Sequence, residues 1–125
     1  MKNVWITAVM IIAAFSSGCM KKAPTQYQHM VCFKFKATAT AADKEKHMAY
    51  FASLKDSVPG ITGYSAGTTF PVQYEKTADY DCFHIVTFAN EADIETYFHH
   101  PAHQRFIEAN KDSWEGAFVV NGKED

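Results

Sequence analysis

From Tyr27 to Lys36 the chain alternates with a period of two. His29, Val31, Phe33 and Phe35 share one face, and Met30, Cys32, Lys34 and Lys36 share the other. In a segment rich in aromatic and β-branched residues, this predicts a strand. The period changes at Thr40, where Thr40-x-x-Asp43 has the form of a capping box with Asp43 in place of the usual Glu. Met48, Phe51, Leu54, Lys55 and Val58 then fall at helical spacing until Pro59-Gly60 ends the helix. Ile61 to Phe70 predicts a second strand, in which Gly63 and Gly67 are expected to mark a bulge or bend. A polar connector, Pro71 to Asp79, leads to the strongest strand pattern, Tyr80 to Phe88. Asn90 is placed to cap a helix running to Phe98, with acids in its first turn. Pro101 restarts that helix, with Phe106, Ile107, Ala109 and Trp114 on its apolar side. A short last strand is expected over Ala117 to Val120.

The predicted order is β-α-β-β-α-β, a ferredoxin-like α+β arrangement with an antiparallel sheet and its helices on one face. A sheet with one wet face should alternate apolar with polar residues. The third strand does not: Tyr80, Cys82, His84, Val86 and Phe88 oppose a second, largely apolar set, Phe83, Ile85 and Thr87. Phe83 and Ile85 beside Met30 and Cys32 would make an exposed apolar patch. The expectation is a homodimer packed through this sheet face about a two-fold axis.

At 125 residues the chain has room for one domain. Ten Phe and six Tyr supply a compact core, and a formal net charge of −2 without a basic cluster argues against nucleic acid as a partner. Val4 to Phe15 is an apolar run broken by Thr7 and preceded by Lys2, the layout of a secretory signal. It is short for a membrane span of ~20 residues. The ending Ser-Ser-Gly-Cys19 resembles the lipobox of bacterial lipoproteins, although Ser16 stands where Leu is usual. The resemblance implies acylation at Cys19 and a chain exported and anchored to the bacterial cell envelope membrane by lipid alone. A plain cleaved signal is the competing reading and an uncleaved anchor the third. The expected organisation is a signal over residues 1–18, a tether over 19–26, the domain over 27–121 and a polar tail over 122–125.

Four segments carry a family resemblance, Tyr80-Asp81 leading into the third strand among them. His29-Met-Val-Cys-Phe-Lys-Phe-Lys36 resembles the opening strand of the stress-responsive dimeric α/β-barrel (Dabb) family, and Val58-Pro-Gly-Ile61 resembles its helix-to-strand corner. Tyr97-Phe-His-His-Pro-Ala-His-Gln-Arg-Phe106 is similar to its His-Pro-Ala-His signature. The resemblance implies a dimeric barrel of two ferredoxin-like units. The family holds stress proteins without known catalysis and a plant polyketide cyclase whose pocket lies between sheet and helices. By that resemblance Tyr97 and His103 would be the catalytic pair and His29 a polar lining group. Cys82 stands where the cyclase has a third-strand His, and His84 is an addition.

His103, expected in a first helical turn, has two readings: a general acid or base facing a pocket, or part of a turn that caps and orients its helix. Tyr97 could bond a substrate carbonyl or simply fill the core. His29, Phe33, Phe51, Cys82, His84 and Phe88 are the expected pocket lining. No metal is expected, because His29, His84 and His103 lack the short paired spacings of metal sites, and no cofactor motif is present. His47 is expected to be partly exposed and inert. Cys32 and Cys82 fall on opposite faces, so free thiols are expected. Two functions remain open: a module binding a small hydrophobic ligand, or a cofactor-free enzyme, cyclase-like or monooxygenase-like, acting on a hydrophobic carbonyl compound.

Overall fold

The computed structural model describes residues 18–73 and 79–125. Most of the segment read as an export signal lies outside them. Strand β1 (Gln26–Phe35) is followed by helix α1 (Ala41–Ser57), strands β2 (Ile61–Thr68) and β3 (Cys82–Phe88), helices α2 (Glu91–His99) and α3 (Pro101–Asn110), and strand β4 (Trp114–Glu124). The four strands form one antiparallel sheet in the order β2-β3-β1-β4, the ferredoxin-like arrangement.

Each helix start has a local cause. The Thr40 hydroxyl accepts the backbone N–H of Asp43 at 3.1 Å, and the Asp43 carboxylate accepts the backbone N–H of Thr40 at 2.8 Å, closing the capping box. Asn90 occupies the N-cap of α2, but its side chain makes no capping bond; its amide donates to Asp93 instead. His100 caps α3 through Nδ1, which accepts the N–H of Ala102 at 3.1 Å, one residue after the helix starts on Pro101. Between α1 and β2 the chain turns at Gly60, whose φ of +90° favours glycine; a Cβ there would also meet the Asp93 side chain at 2.8 Å. Of the two glycines expected to disturb β2, Gly63 follows a register shift after Ile61, whereas Gly67 pairs in register with Phe83, and the strand ends at Thr68 instead of Phe70.

Pairing confirms both parities. Phe33 stands opposite Cys82 and Val31 opposite His84, while Cys32 stands opposite Phe83 and Met30 opposite Ile85. The first set faces the helices and is buried with Phe51, Leu54, Phe88, Tyr97 and Phe106. The second set is half-buried and shares its face with Phe118 and Val120 of β4, which are 53% and 41% exposed. Cys32 and Cys82 are free thiols on opposite faces.

The last strand departs most from expectation. It runs from Trp114 to Glu124, taking in all but the last of the residues read as a polar tail and a tryptophan read as helical. The reason is tertiary: β4 pairs with nearly all of β1, from Phe35 opposite Trp114 to Gln26 opposite Glu124. Backbone pairing with a long central strand offsets the poor strand propensity of Asn121, Gly122 and Lys123. At the other end, β3 begins at Cys82 because Asp81 is occupied as a clamp. Its N–H donates to Phe33 O at 2.8 Å and its carboxylate accepts the Phe35 N–H at 2.7 Å.

Candidate functional site

A cavity of about 240 Å³ opens between α3 and the β1–β4 side of the sheet. Its polar lining consists of His29 and His103, apart from the indole of Trp114; Val31, Phe33, Phe51, Phe98, Phe106, Ile107, Ala117 and Val119 make up the rest. Such a space suits a small, mostly apolar molecule with few polar anchors.

Strand periodicity aims His29 inward, and the third position of α3 aims His103 at it from the other wall. His103 Nδ1 donates to the carbonyl of Phe98 at 3.2 Å. A carbonyl can only accept, so the proton of the neutral ring sits on Nδ1 and Nε2 keeps a free lone pair. His29 Nδ1 likewise donates to the Asn121 side-chain oxygen at 2.8 Å, leaving its Nε2 free. Burial lowers the pKa of both rings; for His29 the Asn121 bond acts against this, and for His103 the Phe98 carbonyl opposes it while His29 adds to it. The cavity therefore presents two neutral imidazoles as acceptors near neutral pH.

Tyr97 is not on the lining. Its ring lies behind the two histidines, with centroids 4.4 Å from His103 and 5.5 Å from His29. The residue is fully buried, and its hydroxyl has no hydrogen-bond partner among the described residues. Burial raises its pKa, and the neighbouring Tyr64 adds to the effect.

Of the expected lining, His29, Phe33 and Phe51 reach the cavity, whereas Cys82, His84 and Phe88 do not. All three point to the helix side as expected, but α1 and α2 pack over them and leave no space. His47 differs most from its reading. It is completely buried on α1, with Nε2 3.0 Å from His84 Nε2. Cys82 Sγ lies 3.9 Å from each of these nitrogens. Thus His84 joins His47 and Cys82, not His29 and His103. The signal for His47 was present in the sequence, since 47, 51, 54 and 58 form one helical stripe. Asn121 could not be found that way, because its role depends on β4 extending past Val120.

Olivetolic acid cyclase of Cannabis sativa is 30% identical over 94 residues, covering 75% of this chain and 92% of that protein. Among solved structures, the hydroxynitrile lyase of Passiflora edulis superposes with a TM-score of 0.73 at 21% identity, over 82% of this chain and 96% of that one. A dimeric ferredoxin-like protein of unknown function from Thermobifida fusca gives 0.65 at 16% identity, over 82% and 94% of the two chains. Residues 27–123 match the model of the stress-responsive A/B barrel domain, and the chain belongs to that family.

Proposed function

We propose that this protein binds a small, largely apolar molecule carrying a hydroxyl or other acidic hydrogen in the cavity between α3 and the sheet. One observation carries the reading: two buried, neutral imidazoles with fixed tautomers offer Nε2 acceptors in a cavity of about 240 Å³ that is otherwise almost wholly apolar. A donor group on the ligand satisfies them, and burial of its apolar body supplies affinity at ~25 cal/mol per Å². Native mass spectrometry of the purified full chain tests this, followed by titration with simple alkylphenols. Saturable binding weakened by His29→Phe and His103→Phe is expected. Binding indifferent to both substitutions would overturn the reading.

A second reading is favoured by the fixed tautomer of His103: acid–base catalysis without a cofactor on a hydrophobic carbonyl compound. An unprotonated Nε2 in a desolvated site can take a proton from carbon next to a carbonyl. The cyclase and lyase relatives are compatible with such chemistry. Tyr97 would act as donor only if its hydroxyl reached the ligand, which requires the His103–Phe98 wall to move. His103→Gln should lower kcat by ~100-fold or more in any turnover assay; full activity in that variant would remove the reading.

The proposal extends to assembly and location. Met30, Cys32, Phe83, Ile85, Phe118 and Val120 form an apolar face uncovered by helices, which a second copy would bury, in keeping with relatives described as dimeric. Cys19, exposed at the start of the described chain, is the proposed acylation site that tethers the dimer to an envelope membrane.

A further inference from the structure

The cluster behind the cavity wall has a chemistry of its own. His47 comes from the buried stripe of α1, and Cys82 and His84, two residues apart, from the inward face of β3. The three are 0%, 2% and 0% exposed. Among the described residues, they form a group whose ligand atoms all lie within 4.8 Å of one another. We propose that His47 Nε2, His84 Nε2 and Cys82 Sγ form a site for a thiophilic divalent cation of the zinc class.

The distances fit. Zinc bonds nitrogen at ~2.0–2.1 Å and thiolate at ~2.3 Å, so neighbouring ligand atoms in a tetrahedral site lie ~3.3–3.6 Å apart. The nitrogens here are 3.0 Å apart and the sulfur is 3.9 Å from each, so adjustments of a few tenths of an ångström close the set. Elements fixed by a four-stranded sheet and a packed helix present all three ligands, which limits the reorganisation needed. The fourth position is left to a water molecule. Phe33, Phe106 and Trp114 separate cluster and cavity, with ring centroids 4.6, 5.3 and 5.6 Å from that of His47.

Proton placement in the metal-free chain follows from Trp114. Its indole N–H, which can only donate, points at His47 Nδ1 at 3.0 Å. The proton of His47 is therefore on Nε2 and is given to His84 Nε2. His84 in turn carries its proton on Nδ1 and donates it to the Tyr64 hydroxyl at 2.9 Å. His84 is already in a ligating tautomer, with its other ring N–H held by the Tyr64 hydroxyl, which fixes the ring's orientation. His47 is not. On binding, the Cys82 thiol loses its proton to solvent, and the His47 proton passes from Nε2 to Nδ1. The Trp114 N–H must then turn away. The net exchange is one cation bound and one proton released.

The test is to refold the full chain with cobalt(II), which reports thiolate ligation by a sulfur-to-metal charge-transfer band and tetrahedral geometry by visible d–d absorption. Displacement by zinc and pH-stat counting of released protons follow. The expected result is a thiolate band that survives Cys19→Ser and Cys32→Ser, is lost in Cys82→Ser, and accompanies release of about one proton per ion. Trp114→Phe removes the competing donor and should tighten cobalt binding several-fold, up to about tenfold for one hydrogen bond. No thiolate band in the refolded wild type, or one that persists in both Cys82→Ser and His84→Gln, would overturn the site. Weaker binding in Trp114→Phe would contradict the required tautomer exchange, and the site with it.

Discussion

The rings of Tyr97 and His103 lie 4.4 Å apart between centroids, yet the Tyr97 hydroxyl bonds neither to that imidazole nor to any other described group. A buried hydroxyl without a partner costs ~1–3 kcal/mol, so the position stores a deficit that filling the core does not explain. Tyr97→Phe should leave the denaturation midpoint unchanged or raised, and should weaken any ligand that bonds the hydroxyl. Chemical denaturation in urea reads the first effect. A loss of more than about 1 kcal/mol would mean that the hydroxyl is bonded within the protein.

The histidine pair makes stability depend on pH. Burial is the main cause holding His47 down at about 4 and His84 at about 3, and His47 lowers His84 further. In the unfolded chain both return to ~6.5. Below that value the unfolded state binds protons that the folded state refuses, so stability is complete above pH ~6.5 and falls as pH drops toward 4. The slope reaches up to ~1.4 kcal/mol per pH unit for each such ring. Urea denaturation with a chelator present, between pH 7 and 4.5, should show this loss. His84→Val should reduce it by the share of one ring. A wild type equally stable at pH 7 and 4.5 would contradict the buried neutral pair.

Ile85 sits on the sheet face away from the helices, opposite Met30. If two copies meet there, Ile85→Glu places a carboxylate against an apolar partner, at a cost of several kcal/mol unless it becomes protonated. Sedimentation equilibrium at micromolar concentration should show a dimer for the wild type and a monomer, or aggregate, for the variant. A monomeric wild type would end the proposal.

Cys19→Ser should move the protein from the membrane fraction to the soluble fraction, and mass spectrometry of the wild type should find an acylated N-terminal cysteine. Membrane retention with an unprocessed N-terminus in both would point to an uncleaved anchor.

Much of the fold was legible because it rests on local rules. The capping box at Thr40, the stop at Pro59-Gly60 and the alternation of β1 and β3 each depend on neighbours a few residues away. Parity alone correctly separated Cys32 from Cys82. The site was half legible. His29 and His103 could be aimed by strand period and helix position, but whether an inward residue meets a cavity or a packed neighbour depends on how helices sit on the sheet. Hence Cys82, His84 and Phe88 share the inward side with His29 and Phe33 without reaching the same space.

Which face each residue takes was determined by the sequence itself, because a pleated strand and a helical turn dictate side-chain direction with no knowledge of the rest of the chain. Which residues meet was decided only by tertiary structure. β4 extends to Glu124 because β1 is there to pair with it, and that extension brings Asn121 to His29. His47 meets His84 and Cys82 across 37 and 35 residues because α1 lies over β3, bringing together groups that no local spacing connects.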